Sequence, residues 1–252
     1  LIGNNVTSDP AIRTALNIGI DRKTIIENAL AGFGKPTMNL AEALPWANNA
    51  LQEKDNRVDE AVKILEAAGW KDTDGDGIRE KNGVKAEFVI NGRSNDLHRY
   101  NTAVALAQDA KKLGINIIAK STPWSEARKI ARNIPTVWAL GDFTPQVIYN
   151  YYHSSQVGVN VINNSAIYRN PAVDAHIDRA LAATSDEEAI REFKAAQWDG
   201  TAGAKMDVPY LWIVTVQVPY FVNERLDLGQ LRVGERGQGM GILANLDDWQ
   251  WK

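Results

Sequence analysis

Apolar residues recur at helical spacing in several segments, each preceded by a residue that favours the start of a helix. Ile12, Ala15 and Leu16 follow Asp9, a capping side chain, and Pro10, which needs no amide hydrogen bond in a first turn. The same reasoning predicts further helices: one after Asp21, one from Asp55 to Gly69, a long one ending at Gly114, and others near Ser125 to Arg132, after Thr144-Pro145, from Pro171 to Ala183 and from Asp186 to about Ala202.

Shorter apolar runs between these helices predict strands. Asn82-Gly83 suits a tight type I′ turn, which leads into a strand from Val84 to Asn91. After the long helix, a second strand is expected from Ile115 to Ala119, so that strand, helix and strand form a right-handed parallel crossover. Three more strands are expected at Thr136 to Leu140, Tyr210 to Val216 and Val218 to Asn223, the last two paired with each other. The alternation indicates an α/β fold.

Composition narrows the class of protein. The 252 residues are 44% hydrophobic and 23% charged, which is typical of a globular chain. A net charge of −3 offers no basic field for nucleic acid, and the absence of cysteine excludes disulfides and thiolate metal sites. The apolar run from Val208 to Val222 is interrupted by polar residues, so no membrane span is expected. Leu1 to Pro10 lacks the features of a signal peptide.

Three ordered motifs resemble the family 5 solute-binding proteins, the dipeptide, oligopeptide and nickel binders of ABC importers. The segment from Asp9 to Pro36, DPAIRTALNIGIDRKTIIENALAGFGKP, resembles the start of that family's second lobe. A helix ending in Gly-Trp and then a D-x-D-G-D-G hairpin, from Gly69 to Gly77, recurs in the same family. The segment from Tyr168 to Leu181, YRNPAVDAHIDRAL, is similar to a third family motif. The resemblance covers essentially the whole chain.

The resemblance implies the organisation of the chain as well as its fold. Members of the family are about twice as long, as expected for two lobes that each have a core. Residues 1–225 would be the second ligand-binding lobe of a type II periplasmic-binding-protein fold, with a mixed sheet and flanking helices. Residues 226–252 would return to a first lobe, which would form the opposite wall of the ligand cleft.

A loop of aromatic, glycine and acidic residues after the strand at Thr136 is the strongest candidate binding site. Ligands of open α/β sheets lie outside the carboxyl ends of strands, where this loop would be. Gly141 permits an unusual backbone, and the resemblance to peptide-binding relatives implies that Asp142 holds a cation such as a peptide ammonium. Three aromatic residues would pack on the apolar part of the ligand: Trp138, Phe143 and Tyr149.

Two other interpretations of this loop stay open. Asp142 could cap the helix that follows, with the aromatic residues in the core. Because the N-terminus of a helix favours anions, the loop could instead meet a ligand carboxylate.

This chain lacks the histidines of the nickel-type relatives, which carry histidine in this loop and a His-Gly-His-Gly stretch near the tail. Phe143 stands at the first histidine position, and residues 234–239 replace the second stretch. Phenyl cannot coordinate a metal, whereas imidazole is a natural nickel donor. Direct nickel capture by these residues is therefore not expected, while a nickel chelate stays an alternative to a peptide.

Asp72, Asp74 and Asp76 have the spacing of the first ligands in a calcium loop. Gly83 stands where such a loop needs its bidentate glutamate, so Asx turns leading into the hairpin are the competing interpretation. A calcium-stabilised interaction module without a transport role is the corresponding alternative function. None of the three histidines has metal-ligand spacing, but His153 lies near the candidate binding loop.

The sequence thus predicts a binding protein and not an enzyme. It contains no G-x-S-x-G motif, phosphate loop or dinucleotide fingerprint, and no cofactor is expected. The resemblance implies a monomer that captures a peptide-like or chelate solute between two lobes and delivers it to the membrane subunits of an ABC importer. It also implies an extracytoplasmic location, either periplasmic or lipid-anchored at the cell surface.

Overall fold

Residues 4–42, 44–139, 144–217, 219–230, 243 and 245–252 are described by the structure, a computed structural model. Its α-helices are α1 Pro10–Gly19, α2 Arg22–Leu30, α3 Val58–Ala67, α4 Leu97–Ala110, α5 Trp124–Ile130, α6 Gln146–Tyr152, α7 Pro171–Ala182, α8 Asp186–Gln197 and α9 Ala204–Asp207. Its strands are β1 Gly34–Pro36, β2 Glu80–Lys81, β3 Val84–Lys85, β4 Glu87–Arg93, β5 Asn116–Thr122, β6 Val214–Val216, β7 Leu226–Asp227 and β8 Gln250–Trp251.

The first two helices begin where their capping residues predict. The Asp9 side chain accepts a hydrogen bond from the Ala11 amide at 2.9 Å, and the Asp21 side chain accepts one from the Thr24 amide at 3.0 Å. These bonds satisfy amides that have no partner inside the helix. The predicted starts of α1 and α2 are confirmed.

The parallel crossover is also confirmed. Strands β4 and β5 pair in parallel, with Glu87 opposite Asn116 and Arg93 opposite Thr122, and α4 connects them. Gly114 adopts a positive φ of 72°, which lets the chain leave the helical segment and enter β5 directly. The pairing fixes the end of β4 beside the end of β5.

The sheets are smaller than the predicted mixed sheet. The described strands form four two-stranded sheets: the parallel pair β4–β5 and the antiparallel pairs β1–β6, β2–β3 and β7–β8. In the β2–β3 hairpin, Asn82 and Gly83 have φ values of 53° and 76°, so the type I′ turn is confirmed. The predicted strand from Val84 is interrupted at Ala86, whose amide bonds to the Arg79 carbonyl at 2.7 Å.

Two strand predictions are wrong. The segment predicted as a strand from Thr136 to Leu140 forms no strand over its described residues, 136–139. It makes a single parallel bridge, between Thr136 and Asn91. The expected pairing of 210–216 with 218–223 is replaced by β6 pairing with β1, and residues 219–223 form no strand. Pro219 lacks the amide hydrogen that a strand ladder requires, and Phe221, two residues later, is 97% exposed.

Asp55 does not begin α3 as predicted. The helix starts at Val58, and its capping position, Arg57, makes no capping bond through its side chain. Asp55 instead accepts a hydrogen bond from the Arg22 amide at 3.0 Å and forms an ion pair with the Arg22 guanidinium at 3.4 Å. A contact between distant segments has replaced the local cap.

Arg22 is 1% exposed and its donors reach three other parts of the chain. Its Nε donates to the carbonyls of Thr37 at 3.0 Å and Trp212 at 2.8 Å, and its Nη atoms donate to Asn17 at 2.8 Å. Burial lowers the pKa of Arg22 to about 10, partly offset by Asp55, so the guanidinium stays charged at neutral pH. We call Arg22 with Asn17, Thr37, Asp55 and Trp212 the Arg22 clamp.

The buried apolar residues of the described chain form two cores. The first joins the buried faces of α1 to α4 with β4 and β5, through residues such as Leu16, Leu65 and Leu113. The second joins α6, α7 and α8 through residues such as Ile148, Ile177 and Phe193. Trp212, which accepts from Arg22 through its carbonyl, packs its ring against the second core. The clamp therefore links the two cores.

Replacing Arg22 by glutamine should lower the free energy of unfolding by about 3–5 kcal/mol, because the Asp55 carboxylate and several buried carbonyls would lose their donors. Lys23→Gln is the matched control, since Lys23 is 81% exposed and its change should stay within about 0.5 kcal/mol. Urea unfolding measures both. Equal stability of the two variants would contradict the role of the clamp.

Candidate functional site

The carboxyl ends of β4 and β5 lie side by side because the strands are parallel and in register. Arg93, the last residue of β4, is opposite Thr122, the last residue of β5. The Thr122 hydroxyl donates to Asn91 Oδ1 at 2.9 Å, and Thr136 makes its bridge to the same asparagine. Three segments of the chain therefore meet at one edge, which is where open α/β sheets bind ligands.

Two indole rings and a guanidinium lie together at this edge. The rings of Trp124 and Trp138 are in edge-to-face contact, with centroids 4.8 Å apart and planes at 88°. The Arg93 Cζ atom lies 4.9 Å from the centroid of the Trp124 ring, which is a cation–π contact. All three residues are partly exposed. We call Arg93, Trp124 and Trp138 the strand-end cluster.

The predicted site residues are only partly described. Trp138 lies in the strand-end cluster, and its contact with a ligand stays a prediction. Gly141, Asp142 and Phe143 lie outside the described residues, as do the histidine-replacing residues 234–239 of the tail.

Tyr149 belongs to a different neighbourhood from Trp138. It packs on the second core, its ring lies 5.0 Å from that of His153, and its hydroxyl is 3.2 Å from Ser155 Oγ. The ring contact of Trp138 is with Trp124. The described structure therefore does not join Tyr149 to the strand-end cluster through these contacts.

His153 is held by its neighbours in a defined orientation. Its Nδ1 accepts a hydrogen bond from the Ser155 amide at 3.1 Å and lies 2.7 Å from Ser155 Oγ. Its Nε2 is 3.2 Å from Asp178 Oδ1, close enough for an ion pair but without the angles of a hydrogen bond. Because Nδ1 accepts, the neutral ring carries its proton on Nε2, which faces Asp178. These contacts indicate a structural role for His153.

A second arginine adds positive charge near the cluster. Burial lowers the pKa of Arg99, Asp96 raises it, and the nearby Arg93 charge lowers it further. Asp96 accepts the Arg99 amide at 3.2 Å as the cap of α4, and its other oxygen lies 3.2 Å from Arg99 Nε. The carboxylate that follows β4 is thus engaged by Arg99, not by Arg93.

The sequence patterns predict no role for Arg93 or Trp124, and Trp124 lies just before the helix predicted near Ser125 to Arg132. One signal was present: Arg93 follows an apolar strand and precedes a capped helix, so it falls at the carboxyl end of a strand. The contact between Arg93 and Trp124 joins residues that are far apart in sequence and left no local pattern.

Gly92 allows the end of β4 to approach α4 closely. A Cβ atom at this position would lie 2.4 Å from the Tyr100 Cα atom and 3.0 Å from its amide nitrogen. Backbone atoms cannot move aside as a flexible side chain can, so only glycine fits without shifting the helix. This contact sets the position of Arg93, the next residue.

The acidic loop before the hairpin places four carboxylates near one another. Each carboxylate has one oxygen that lies within 4.8 Å of an oxygen of each of the others; the four residues are Asp72, Asp74, Asp76 and Glu80. Lys85 Nζ donates to Asp74 at 3.1 Å and also to Asp76. The bond from Lys85 is the main reason that the pKa of Asp74 lies below its usual value, and the bond to Asp76 raises the pKa of Lys85.

The backbone of the loop supplies further donors. Asp72 accepts from the amides of Gly75 at 2.7 Å and Gly77 at 3.0 Å, and Asp76 accepts from the Ile78 amide at 2.8 Å. These are Asx-type turns, the competing interpretation of the aspartate spacing. A lysine and a set of turns therefore supply partners for Asp72, Asp74 and Asp76, whereas Glu80 Oε1 is buried and has no hydrogen-bond partner among the described residues.

An open cavity of about 330 Å³ lies elsewhere and shares no lining residue with the strand-end cluster. Asp9, Trp70 and Lys81 line part of it. Trp70 Nε1 donates to Asp9 Oδ2 at 3.0 Å and Lys81 Nζ donates to the same oxygen at 2.6 Å. Because these polar groups are paired with one another, we interpret the contact as structural: it fastens the hairpin to the start of α1.

Comparison with known proteins defines the class. The fold is that of a lobe of the type II periplasmic binding proteins, because structures of that class match essentially the whole chain. Residues 2–172 match the family described as "Bacterial extracellular solute-binding proteins, family 5 Middle". The chain belongs to this family.

Individual relatives agree with that assignment. The chain is 35% identical to Protein XP55 of Streptomyces lividans over 88% of its length and 40% of that protein. It is similar to the structure of the oligopeptide-binding protein AppA of Bacillus subtilis in complex with a nonapeptide, with a TM-score of 0.72 and 23% identity. The match covers 100% of this chain and 49% of AppA. It is also similar to the structure of NikZ of Campylobacter jejuni in complex with Ni(L-His), with a TM-score of 0.77 and 21% identity. This match covers 99% of the chain and 50% of NikZ.

The chain spans half or less of the length of each of these relatives. Among the described helices, none combines the length and the apolar character that crossing a membrane requires.

Changing Asp74 and Asp76 together to asparagine should alter the melting temperature only slightly, and by the same amount in calcium chloride and in chelator, because Lys85 and backbone amides are the partners of this loop. Asp186→Asn with Glu187→Gln, two exposed residues of α8, removes the same charge as a control. Differential scanning calorimetry measures each variant. A calcium-dependent rise in the melting temperature that the double variant loses would contradict this interpretation.

Proposed function

We propose that this chain is the solute-binding second lobe of the binding component of an ABC importer, and that the solute is peptide-like or a metal chelate. The observation that carries the proposal is the strand-end cluster, two indoles and a guanidinium that are partly exposed at the carboxyl edge of a family 5 lobe. Such a surface suits a ligand with both apolar and charged parts. It supplies no nucleophile with an activating base, so we propose binding without catalysis.

The solutes of the similar structures support the choice of solute. AppA binds a nonapeptide and NikZ binds Ni(L-His). An unmodified peptide and histidine both combine amino, carboxyl and apolar groups, which is the chemistry that this edge would accommodate. A peptide is favoured over a nickel complex that relies on protein imidazole, because Phe143 occupies the loop position where nickel-type relatives carry histidine.

The proposed site residues have separate roles. Trp138, Phe143 and Tyr149, the last of these in α6, would cover the apolar part of the solute. Asp142 would pair with an ammonium group, and Gly141 would let the backbone approach the solute. The half-buried position of Trp138 at the sheet edge supports its part in this proposal.

Residues 226–252 are proposed to return to the first lobe. Strands β7 and β8, at the two ends of this segment, pair with each other. Trp251 is 70% exposed and Leu246 is 56% exposed, although both side chains are apolar. Contact with the first lobe would cover them. These exposed apolar side chains support the proposed division after residue 225.

The rest of the proposal follows from family membership. The protein would act outside the cytoplasm, in the periplasm or on a lipid anchor, as a monomer that docks on the membrane subunits of the importer. Closure of two lobes on a solute is a hinge motion that buries ligand surface.

Asp142→Ala in the two-lobed protein should weaken binding of a co-purified solute, identified by native mass spectrometry, by about 2–5 kcal/mol, because a buried charge would lose its partner. Asp59→Ala, an exposed aspartate of α3, is the control and should bind normally. Isothermal titration calorimetry gives both affinities. Unchanged binding by the Asp142 variant would remove this residue from the site.

The isolated lobe, residues 1–252, should bind the same solute roughly a hundredfold or more weakly than the two-lobed protein, because one wall covers only part of a ligand that a closed cleft encloses. Calorimetry on both proteins provides the comparison, with circular dichroism to check that the lobe is folded. Equal affinities would show that the lobe holds the complete site.

A further inference from the structure

A loop between α6 and α7, residues 157–162, is built largely of β-branched apolar residues, and we call it the apolar loop. Four of its six residues are valine or isoleucine: Val157, Val159, Val161 and Ile162. Val159 is 61% exposed and Ile162 is 42% exposed. Single apolar side chains on a surface need no explanation, whereas a group of them marks a surface that contacts another body.

Hydrogen bonds within the lobe fix the backbone of the apolar loop. The amides of Ile162 and Asn163 both donate to Asn160 Oδ1 at 2.8 Å, and the Val159 amide donates to the Gln156 carbonyl at 3.3 Å. The Gln156 side chain is buried and accepts from Asn163 Nδ2 at 2.7 Å. The apolar side chains are therefore presented by a defined turn of the chain.

The apolar loop lies against the two helices that leave the candidate binding site. Arg132, which follows α5, donates from Nη2 to the Asn160 carbonyl at 3.2 Å. The Asn164 amide donates to the carbonyl of Asn150, in α6, at 2.8 Å. Helix α5 begins two residues after β5, and α6 follows the predicted binding loop. The apolar loop therefore belongs to the surface that flanks the carboxyl edge of β4 and β5.

The body that fits this position is the first lobe. The chain spans half or less of the length of its relatives, and the proposed function places a first lobe over the carboxyl edge as the opposite wall of the cleft. A lobe that closes over this edge also meets the surface beside it. Val159 and Ile162 are β-branched and have few rotamers to lose when they are covered. Such side chains suit a contact that forms and breaks with each round of solute capture.

We propose that the apolar loop contacts the first lobe in the closed, solute-bound state, and that burial of Val159 and Ile162 in this contact helps to hold the cleft closed. The proposal rests on the proposed function and assigns to these residues a role in closure, apart from contact with the solute. A ligand that requires a closed state binds in proportion to the population of that state, so weakening the contact weakens binding of every solute alike.

Val159→Ser with Ile162→Ser in the two-lobed protein tests the contact, with tetraalanine and the nickel complex of L-histidine as probes. Each probe that the wild type binds should bind about five- to tenfold more weakly to the double variant, because apolar area is buried only in the closed state. Isothermal titration calorimetry measures the affinities. Small-angle X-ray scattering measures closure: the radius of gyration should fall on addition of probe, and the variant should need about five- to tenfold more probe for the same fall.

Leu181→Ser with Met206→Ser is the matched control, since these apolar residues are 50% and 59% exposed and lie outside the apolar loop. This variant should bind and close as the wild type does. The chain 1–252 alone separates closure from solute contact, because no first lobe is there to be met. In a nuclear magnetic resonance titration, the Val159 and Ile162 double variant of this chain should bind each probe as weakly as the unmodified chain does.

Equal weakening in the chain alone would show that the apolar loop contacts the solute, and the closure role would be wrong while the proposed function stands. The same conclusion follows if the two-lobed double variant unfolds, matches its control, or binds and closes normally but no longer supports uptake. In that last case the loop contacts the membrane subunits instead. If the wild type binds neither probe, the proposed solute class fails, and the closure role fails with it.

Discussion

A buried guanidinium organises this lobe. Arg22 is almost fully buried, and its donors reach a helix end, the strand region around Thr37, the Asp55 turn and the carbonyl of Trp212. Taking a charge out of water is costly, and the cost is met only when every donor has an acceptor in good geometry. The donors of Arg22 are therefore satisfied only when segments up to 190 residues apart in sequence are all in contact with it. The two apolar cores are joined at the place where this requirement is satisfied.

The binding surface depends on a second constraint within the first core. Parallel pairing of β4 and β5 places their carboxyl ends at one edge, and glycine at position 92 lets the end of β4 lie close against α4. Arg93 is the last residue of β4, and Trp124 lies two residues after the end of β5. The surface is consequently preorganised: its side chains are positioned by backbone pairing that does not involve a solute.

Local chemistry explains which features the sequence predicts. The caps of α1 and α2, the Asn82-Gly83 turn and the β4–α4–β5 crossover arise within short windows, and each is confirmed. The predictions that are wrong concern segments whose structure is decided by contacts with distant parts of the chain. Asp55 has the chemistry of a cap but serves Arg22, and β6 pairs with β1, which lies far away in sequence. Trp138 could be proposed from its place in the strand predicted from Thr136 to Leu140, although the described part of that segment forms only a bridge. The role of Arg93 becomes visible only through its contact with Trp124.

The central claim is that solute binds at the carboxyl edge of β4 and β5. A crystal structure of the two-lobed protein with its co-purified solute tests this most directly. We expect a solute atom within about 4.5 Å of the Trp124 or Trp138 ring. A solute enclosed elsewhere, with the strand-end cluster facing only solvent or protein, would contradict it.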